Sequence, residues 1–199
     1  AFSDLPRTAG TFCELAQVPD LGAYRAIIVA VPLDATARVL GHLATFPHTG
    51  VVVEIASIKH GLDEPLRAIE GGHSGLRAVA LHPMFGPGKS PYQPLTFVHA
   101  VRGDEAAERA WLDQLLSHPY TELVSIPFAE HDRLMGWLLG LSHLSSMLYG
   151  VALTRSGADA AMLHRAASTI FRRQGETALS VLRENAAVLQ QVGLTRAQV

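Results

Sequence analysis

Val51-Val-Val-Glu-Ile-Ala-Ser-Ile-Lys59 and Leu76-Arg-Ala-Val-Ala-Leu-His-Pro-Met-Phe-Gly-Pro87 decide how this chain is read. Each opens on a short apolar run with the look of a buried strand and closes on polar residues able to do chemistry. In an open α/β sheet, ligands bind outside the carboxyl ends of the strands. The two segments therefore predict that Ser57, Lys59 and His82 face one crevice. A hydroxyl, an ammonium and an imidazole converging there could take a proton from a substrate hydroxyl and hold an anionic substrate.

Working outward, the alternation continues on both sides. Arg25–Val31 is strand-like, and Asp34–Leu43 is helical with Asp34 as N-cap. Val51–Ile55 is a strand and His60–Ile69 a helix. Leu76–Leu81 and Leu95–Val101 are strands, Asp104–Leu116 a helix, and Glu122–Ile126 a strand. Short apolar strands alternating with helices predict a largely parallel sheet covered on both faces. After Pro127 no strand signal remains: Glu130–Leu153, Ala158–Gln174 and Glu176–Val192 read as helices, with breaks at Gly157 and Gly175. The expected fold is α/β followed by all-α, with domains over 1–127 and 128–199.

Composition excludes several classes. The chain has 199 residues, 48% hydrophobic and 17% charged, with a formal net charge of −2. It is globular, and no basic stripe suggests nucleic acid. The single cysteine, Cys13, cannot form an internal disulfide. Leu134–Leu153 lacks formal charge and approaches bilayer-spanning length. Ser142, His143, Ser145 and Ser146 at its centre favour a buried core or dimer helix over a membrane span. No signal peptide is read at Ala1-Phe-Ser-Asp-Leu-Pro, so the expected compartment is the cytoplasm.

Four strings carry a resemblance: Val29-Ala-Val-Pro-Leu-Asp-Ala-Thr36, Glu54-Ile-Ala-Ser-Ile-Lys59, His82-Pro-Met-Phe-Gly-Pro87 and Glu130-His-Asp-Arg-Leu-Met135, followed by Leu141-Ser-His-Leu144. In this order and spacing the chain resembles prephenate dehydrogenases from about residue 24 to about residue 190. The His-Pro-Met-Phe-Gly-Pro string is specific, whereas Ala-Val-Pro alone is shared by many dinucleotide folds. The resemblance implies a Rossmann-like dinucleotide-binding domain joined to a helical dimerisation domain. It implies oxidative decarboxylation of prephenate or arogenate with NAD or NADP, in a homodimer.

The same resemblance assigns roles. His82 would be the general base; the plainer reading is a strand-end histidine that caps a loop. Ser57 would act at the active site. Lys59 would supply supporting charge to the substrate, against the plainer reading of a solvated lysine at a helix start. Ala30, Val31, Pro32 and Thr36 would flank the cofactor. Asp132 and His143, eleven residues apart, would share one helix face, and His131 and Ser142 another. His143 would contact substrate, while His131 and Asp132 would brace the interdomain seam. Glu54 stands where the family usually has aspartate. No metal site is expected, because no other histidine has a partner at ligand spacing.

Two departures stand out. The strand, Gly-x-Gly-x-x-Gly turn and helix that hold a pyrophosphate are not found before Arg25, and Thr8-Ala-Gly-Thr-Phe-Cys13 does not supply them. The Rossmann-like part is thus expected to be incomplete, its strand Arg25–Val31 at a sheet edge, and dinucleotide binding by these 199 residues weak. Secondly, counting back from Arg183-Glu-Asn185, Thr169 takes the place of an arginine that pairs with the substrate's ring carboxylate. Arg165, Arg172 or Arg173 would substitute, unless they only line a solvated face. These departures keep two alternatives open: a non-redox homologue that binds a cyclohexadiene or aromatic acid, and a dehydrogenase for an amino-substituted prephenate.

Overall fold

The structure, a computed structural model, describes residues 24–45, 50–71, 77–86 and 88–182. Thr8–Cys13, His73, Pro87 and the Glu176–Val192 helix beyond Leu182 fall wholly or partly outside these residues. Five strands form one sheet in the order β1 (Ala26–Val29), β2 (Val51–Glu54), β3 (Arg77–Pro83), β4 (Leu95–Val101) and β5 (Thr121–Pro127). The Rossmann-like α/β reading holds. Among the described residues β1 is an edge strand, paired with β2 alone.

The sense of the sheet is where expectation and structure differ. β1, β2 and β3 are parallel and in register, Val29 opposite Glu54 and Glu54 opposite Ala80. β4 then pairs antiparallel with β3, His82 opposite Val98, and β5 runs parallel to β4. Period and composition mark a strand, but they do not record which way its neighbour runs. The carboxyl ends of β1, β2 and β3 consequently share one edge, while β4 and β5 point the other way.

Side-chain parity divides the core. Val29, Val52, Ala78, Ala80 and Ala100 meet Leu40 and Leu43 of α1 (Leu33–Leu43) and Leu66 and Ile69 of α2 (Asp63–Glu70). On the opposite face Val51, Val53, Val79 and Leu81 meet Leu112 of α3 (Glu105–Leu115). Both sets follow the two-residue period of a strand. Asp104 caps α3, its carboxylate accepting from the N–H groups of Ala106 and Ala107 at 3.0 and 3.2 Å. Asp34 does not cap α1: Pro32 holds that position, and Asp34 lies in the first turn, where its charge still suits the helix dipole. At Gly50 a Cβ would meet the Tyr24 carbonyl oxygen at 2.5 Å, so only glycine lets the start of β2 approach β1 this closely.

The described chain divides between His131 and Asp132 into two compact units. The predicted Glu130–Leu153 helix begins earlier and is not uniform. α4 (Phe128–Met135) passes into a π-helical turn (Gly136–Leu141) and then α5 (Ser142–Arg155). A π turn admits about one extra residue, which rotates the succeeding helix by about 100°. The three-turn phase that would have put Asp132 and His143 on one face is therefore lost. The hydroxyl of Ser142 donates to the carbonyls of Leu138 (2.7 Å) and Leu139 (2.9 Å), stitching the widened turn.

In the second unit α6 (Ala160–Ala166) and α7 (Thr169–Leu182) complete the described helices. The break falls at Ala167–Ser168 and α7 runs straight through Gly175, which corrects the expected stop there. Glycine lowers helix propensity by only about 1 kcal/mol, so packing overrides it. That packing includes Tyr149 of α5 edge-on to Phe171 of α7, ring centroids 5.9 Å apart.

Candidate active site

The site is built on the shared edge of β1, β2 and β3. Ala30, Val31 and Pro32 leave β1 there with their surfaces exposed, and Ser57 lies half-buried in the loop after β2. His82 is the penultimate residue of β3 and only 3% exposed. Its even-numbered parity with Ala78 and Ala80 turns the imidazole toward the α1/α2 face. Phe128 packs against the core on that same face, and three residues later in α4 comes His131, fully buried. Nδ1 of His82 lies 3.1 Å from Nε2 of His131, with ring centroids 5.2 Å apart and planes tilted by 48°. The expected face-sharing of His131 with Ser142 gives way to this contact inside the α/β unit.

Lys59 corrects both sequence readings of it. It is neither a solvated lysine nor a charge held out to a substrate: it is 1% exposed, and its ammonium points into the protein. Nζ donates to the Glu54 carboxylate, to the Ala56 carbonyl at 2.9 Å and to the Leu81 carbonyl at 3.0 Å. The other Glu54 oxygen accepts from the Ala56 N–H at 2.9 Å. An ammonium has three protons, and these three acceptors match them. Two charges taken out of water need such complete pairing to be tolerated. The outcome is a buried clamp that ties the loop bearing Ser57 to the backbone immediately before His82. Glu54, passed over in the sequence as a minor departure, is its counter-ion.

Thr36 is also redirected. It is 1% exposed, and its hydroxyl donates to the Pro32 carbonyl at 3.2 Å, so it closes the first turn of α1 instead of facing a cofactor. Of the four predicted cofactor-flanking residues, Ala30, Val31 and Pro32 present accessible surface after the carboxyl end of β1.

A second set of polar contacts holds α4 in place. The Arg102 guanidinium lies 5.8 Å from the centre of the Phe128 ring and donates to Glu70 at 2.7 Å and Asp63 at 3.4 Å. The hydrogen bond from Arg67, opposed by partial burial and aided by the charges of Arg67 and Arg102, holds the Asp63 carboxyl below its ordinary range. Away from the crevice, buried His99 of β4 lies 2.6 Å from the Glu108 carboxylate and 3.2 Å from the Ser125 hydroxyl. Burial works against charge on Glu108, but the His99 contact and the Gly103 N–H outweigh it and leave its carboxyl below the usual range.

In the helical unit His143 is half-buried on α5, while Arg165 and Arg172 are exposed. Arg172 donates to the carbonyls of His164 (3.1 Å) and Ala167 (3.4 Å), which end α6. This backbone role at the α6–α7 turn replaces the expected one of free carboxylate ligand. Arg165 reaches the Met162 sulfur at 3.8 Å. Thr169 opens α7. The helix Phe128–Arg155 is long and apolar enough to cross a bilayer, and only 17% of its most apolar window is buried. Trp137, Leu138, Leu141, Leu144, Leu148 and Val151 are exposed along it.

His131 and Glu54 are the buried partners at this edge that sequence reasoning did not connect to His82 and Lys59. His131 lies 49 positions from its partner, beyond any local pattern. A signal for Glu54 was present: a glutamate ending an apolar strand with a lysine five residues on, where burial demands that they pair.

Comparison with known proteins bears on the fold that carries this edge. The family described as the nucleotide-binding domain of prephenate dehydrogenase matches residues 10–96. The T-protein of Enterobacter agglomerans is 29% identical over 146 residues, covering 73% of this chain and 38% of that protein. A probable arogenate/prephenate dehydrogenase of Methanocaldococcus jannaschii is 29% identical over 150 residues, covering 73% of this chain and 33% of its own. The fold is similar to that of prephenate dehydrogenase from Aquifex aeolicus in complex with hydroxyphenyl propionate and NAD+, at a TM-score of 0.65 and 14% identity. That match covers 87% of this chain and 62% of the other. The resemblance first seen in the motifs thus extends through sequence and fold, and the chain spans about a third of the length of these curated relatives.

Proposed function

We propose that this chain carries the catalytic face of a nicotinamide-dependent dehydrogenase that oxidises and decarboxylates prephenate or arogenate in the cytoplasm. One observation carries the reading: His82, buried at the carboxyl end of β3, stands on the same edge as the accessible Ala30–Pro32 and the Ser57 loop. A matching nucleotide-binding family and a relative named as a probable arogenate/prephenate dehydrogenase support it.

The exposed backbone at Ala30–Pro32 fits a dinucleotide lying across the end of β1, where such folds bind their ligands. A nicotinamide held there would supply the hydride acceptor. His82 would take the proton from the ring hydroxyl. The carbon–carboxylate bond then breaks, carbon dioxide departs, and its electron pair completes the aromatic ring. Ser57 holds the substrate hydroxyl toward the imidazole. The Glu54–Lys59 clamp keeps the Ser57 loop and the His82 backbone in fixed relation, which is what proton transfer over hydrogen-bond distance requires. His143 and Arg165 are the substrate contacts proposed from the helical unit.

We further propose that the exposed apolar face of Phe128–Arg155 is covered by a second copy. Two-fold dimers are the commonest soluble oligomers, and a contiguous apolar face of this kind calls for burial.

The test is turnover. A polypeptide that carries these residues together with a pyrophosphate-binding glycine turn is offered prephenate or arogenate with NAD or NADP, and reduced nicotinamide is followed by absorbance together with carbon dioxide release. Reduction with carbon dioxide release for at least one combination is expected. Failure of every combination with folded protein would overturn the reading.

A further inference from the structure

We propose that His131 is a positioning residue for His82: its Nε2 accepts the Nδ1–H of His82 and so selects the tautomer whose Nε2 can receive a proton. The inference rests on the reading of His82 as the base and deepens it.

Two nitrogens 3.1 Å apart form a hydrogen bond only if one carries a hydrogen and the other a lone pair. Two neutral arrangements satisfy this. If His131 donates, the hydrogen of His82 must sit on its own Nε2, and that nitrogen cannot act as a base. If His82 donates from Nδ1, its Nε2 keeps the lone pair. A base at this position therefore requires the second arrangement, with the hydrogen of His131 on Nδ1. Once His82 has taken a proton, the same contact becomes a charge-assisted bond from an imidazolium to a neutral ring, which is stronger than the neutral one.

The surroundings hold this geometry in place. His131 has no exposed surface and lies one turn into α4, whose first residue, Phe128, is packed on the core and beneath Arg102. From the other side, Lys59 holds the carbonyl of Leu81, the residue before His82. The base is thus restrained through its backbone by an ion pair and through its ring by an imidazole. A neutral partner selects the tautomer without placing another charge in a buried site, where an extra charge would be costly.

The experiment compares the parent protein with His131→Gln, whose amide oxygen can accept, and His131→Leu, which cannot. Nitrogen-15 NMR of labelled histidine near pH 8, with His82 assigned by its loss in His82→Asn, reads the tautomer without any turnover. The parent and His131→Gln should show the hydrogen of His82 on Nδ1, and His131→Leu should show it moved to Nε2 in part or whole. In turnover, His131→Leu should lower kcat by about 10–100-fold with KM within about twofold, and His131→Gln should recover most of the loss. A parent protein with the His82 hydrogen on Nε2 would overturn the proposal, as would Gln and Leu variants that lose kcat equally while remaining folded. A parent that turns over neither substrate but shows the Nδ1–H tautomer would remove the dehydrogenase reading and retain the positioning role.

Discussion

The two units of this chain treat polar and apolar groups in opposite ways. At the carboxyl edge of β1–β3 the polar groups lie inside: the Glu54–Lys59 ion pair and the His82 and His131 imidazoles are all buried and tied to one another or to backbone. In the helical unit the hydroxyls of Ser142, Ser145, Ser146 and Thr154 fold back onto carbonyls of their own helix, and Trp137, Leu138, Leu141, Leu144, Leu148 and Val151 are exposed. Burial of charge is costly unless geometry is held closely, so the first arrangement suits a place where a proton must move over a fixed distance. Burial of apolar surface is favourable with little demand on direction, so the second suits association. Under the function proposed above, the contrast would place chemistry in one unit and association in the other.

The sharpest way to break that division is at the base. His82→Asn should lower kcat by about 10²–10⁴-fold while calorimetry finds dinucleotide affinity unchanged. Near-parental turnover in this variant would move the chemistry elsewhere.

Lys59→Met tests whether the buried pair is architecture. It leaves the Glu54 carboxylate buried without its cation and should cost about 3–5 kcal/mol in denaturant unfolding. Adding Glu54→Gln should recover part of that loss. A stable single variant with a raised KM would instead restore the reading of Lys59 as a substrate contact.

On the helical side, Leu148→Asp places a charge on a residue that is 60% exposed. If a second copy covers this face, the dimer dissociation constant should rise by about 10–100-fold, with little change in unfolding of the monomer. Light scattering that finds the parent monomeric at micromolar concentration would remove the basis for the comparison.

The smallest effect belongs to Glu108. Its folded-state carboxyl titrates below the ordinary value of 4.5, so it contributes stability that is fully present above that value. The contribution is lost as pH falls through the lowered folded value. Glu108→Gln should therefore show a shallower loss of stability below about pH 4.5 than the parent in acid unfolding curves.

The α/β alternation and the place of His82 were legible because both are local: strand runs, parity and a short specific string. Features that depend on partners far along the chain escaped. No window around Leu95–Val101 encodes that its neighbour β3 runs the opposite way. Lys59 looked solvated because its third acceptor, the Leu81 carbonyl, lies 22 residues on. Thr36 looked like a cofactor contact because its position in the motif says nothing of its 1% exposure. Gly175 looked like a stop because propensity is weaker than the packing of α7 on α5.

The π turn at Gly136–Leu141 has a consequence for how this protein can change length. Extra width in a helix is a stored residue: removing one position there would let the segment relax to ordinary α geometry without opening a gap. Because the widened turn already lags ordinary α phase by about 100°, the lost residue and the restored pitch would cancel, and Ser142–Arg155 would keep their bearing around the axis. His143 would hold its half-buried position, and Leu144, Leu148 and Val151 would present the same strip. A one-residue deletion in an ordinary α stretch of the same helix would instead turn everything beyond it by about 100°. The widened turn is a slack link, where the helix can shorten by one residue without changing the face it offers to solvent.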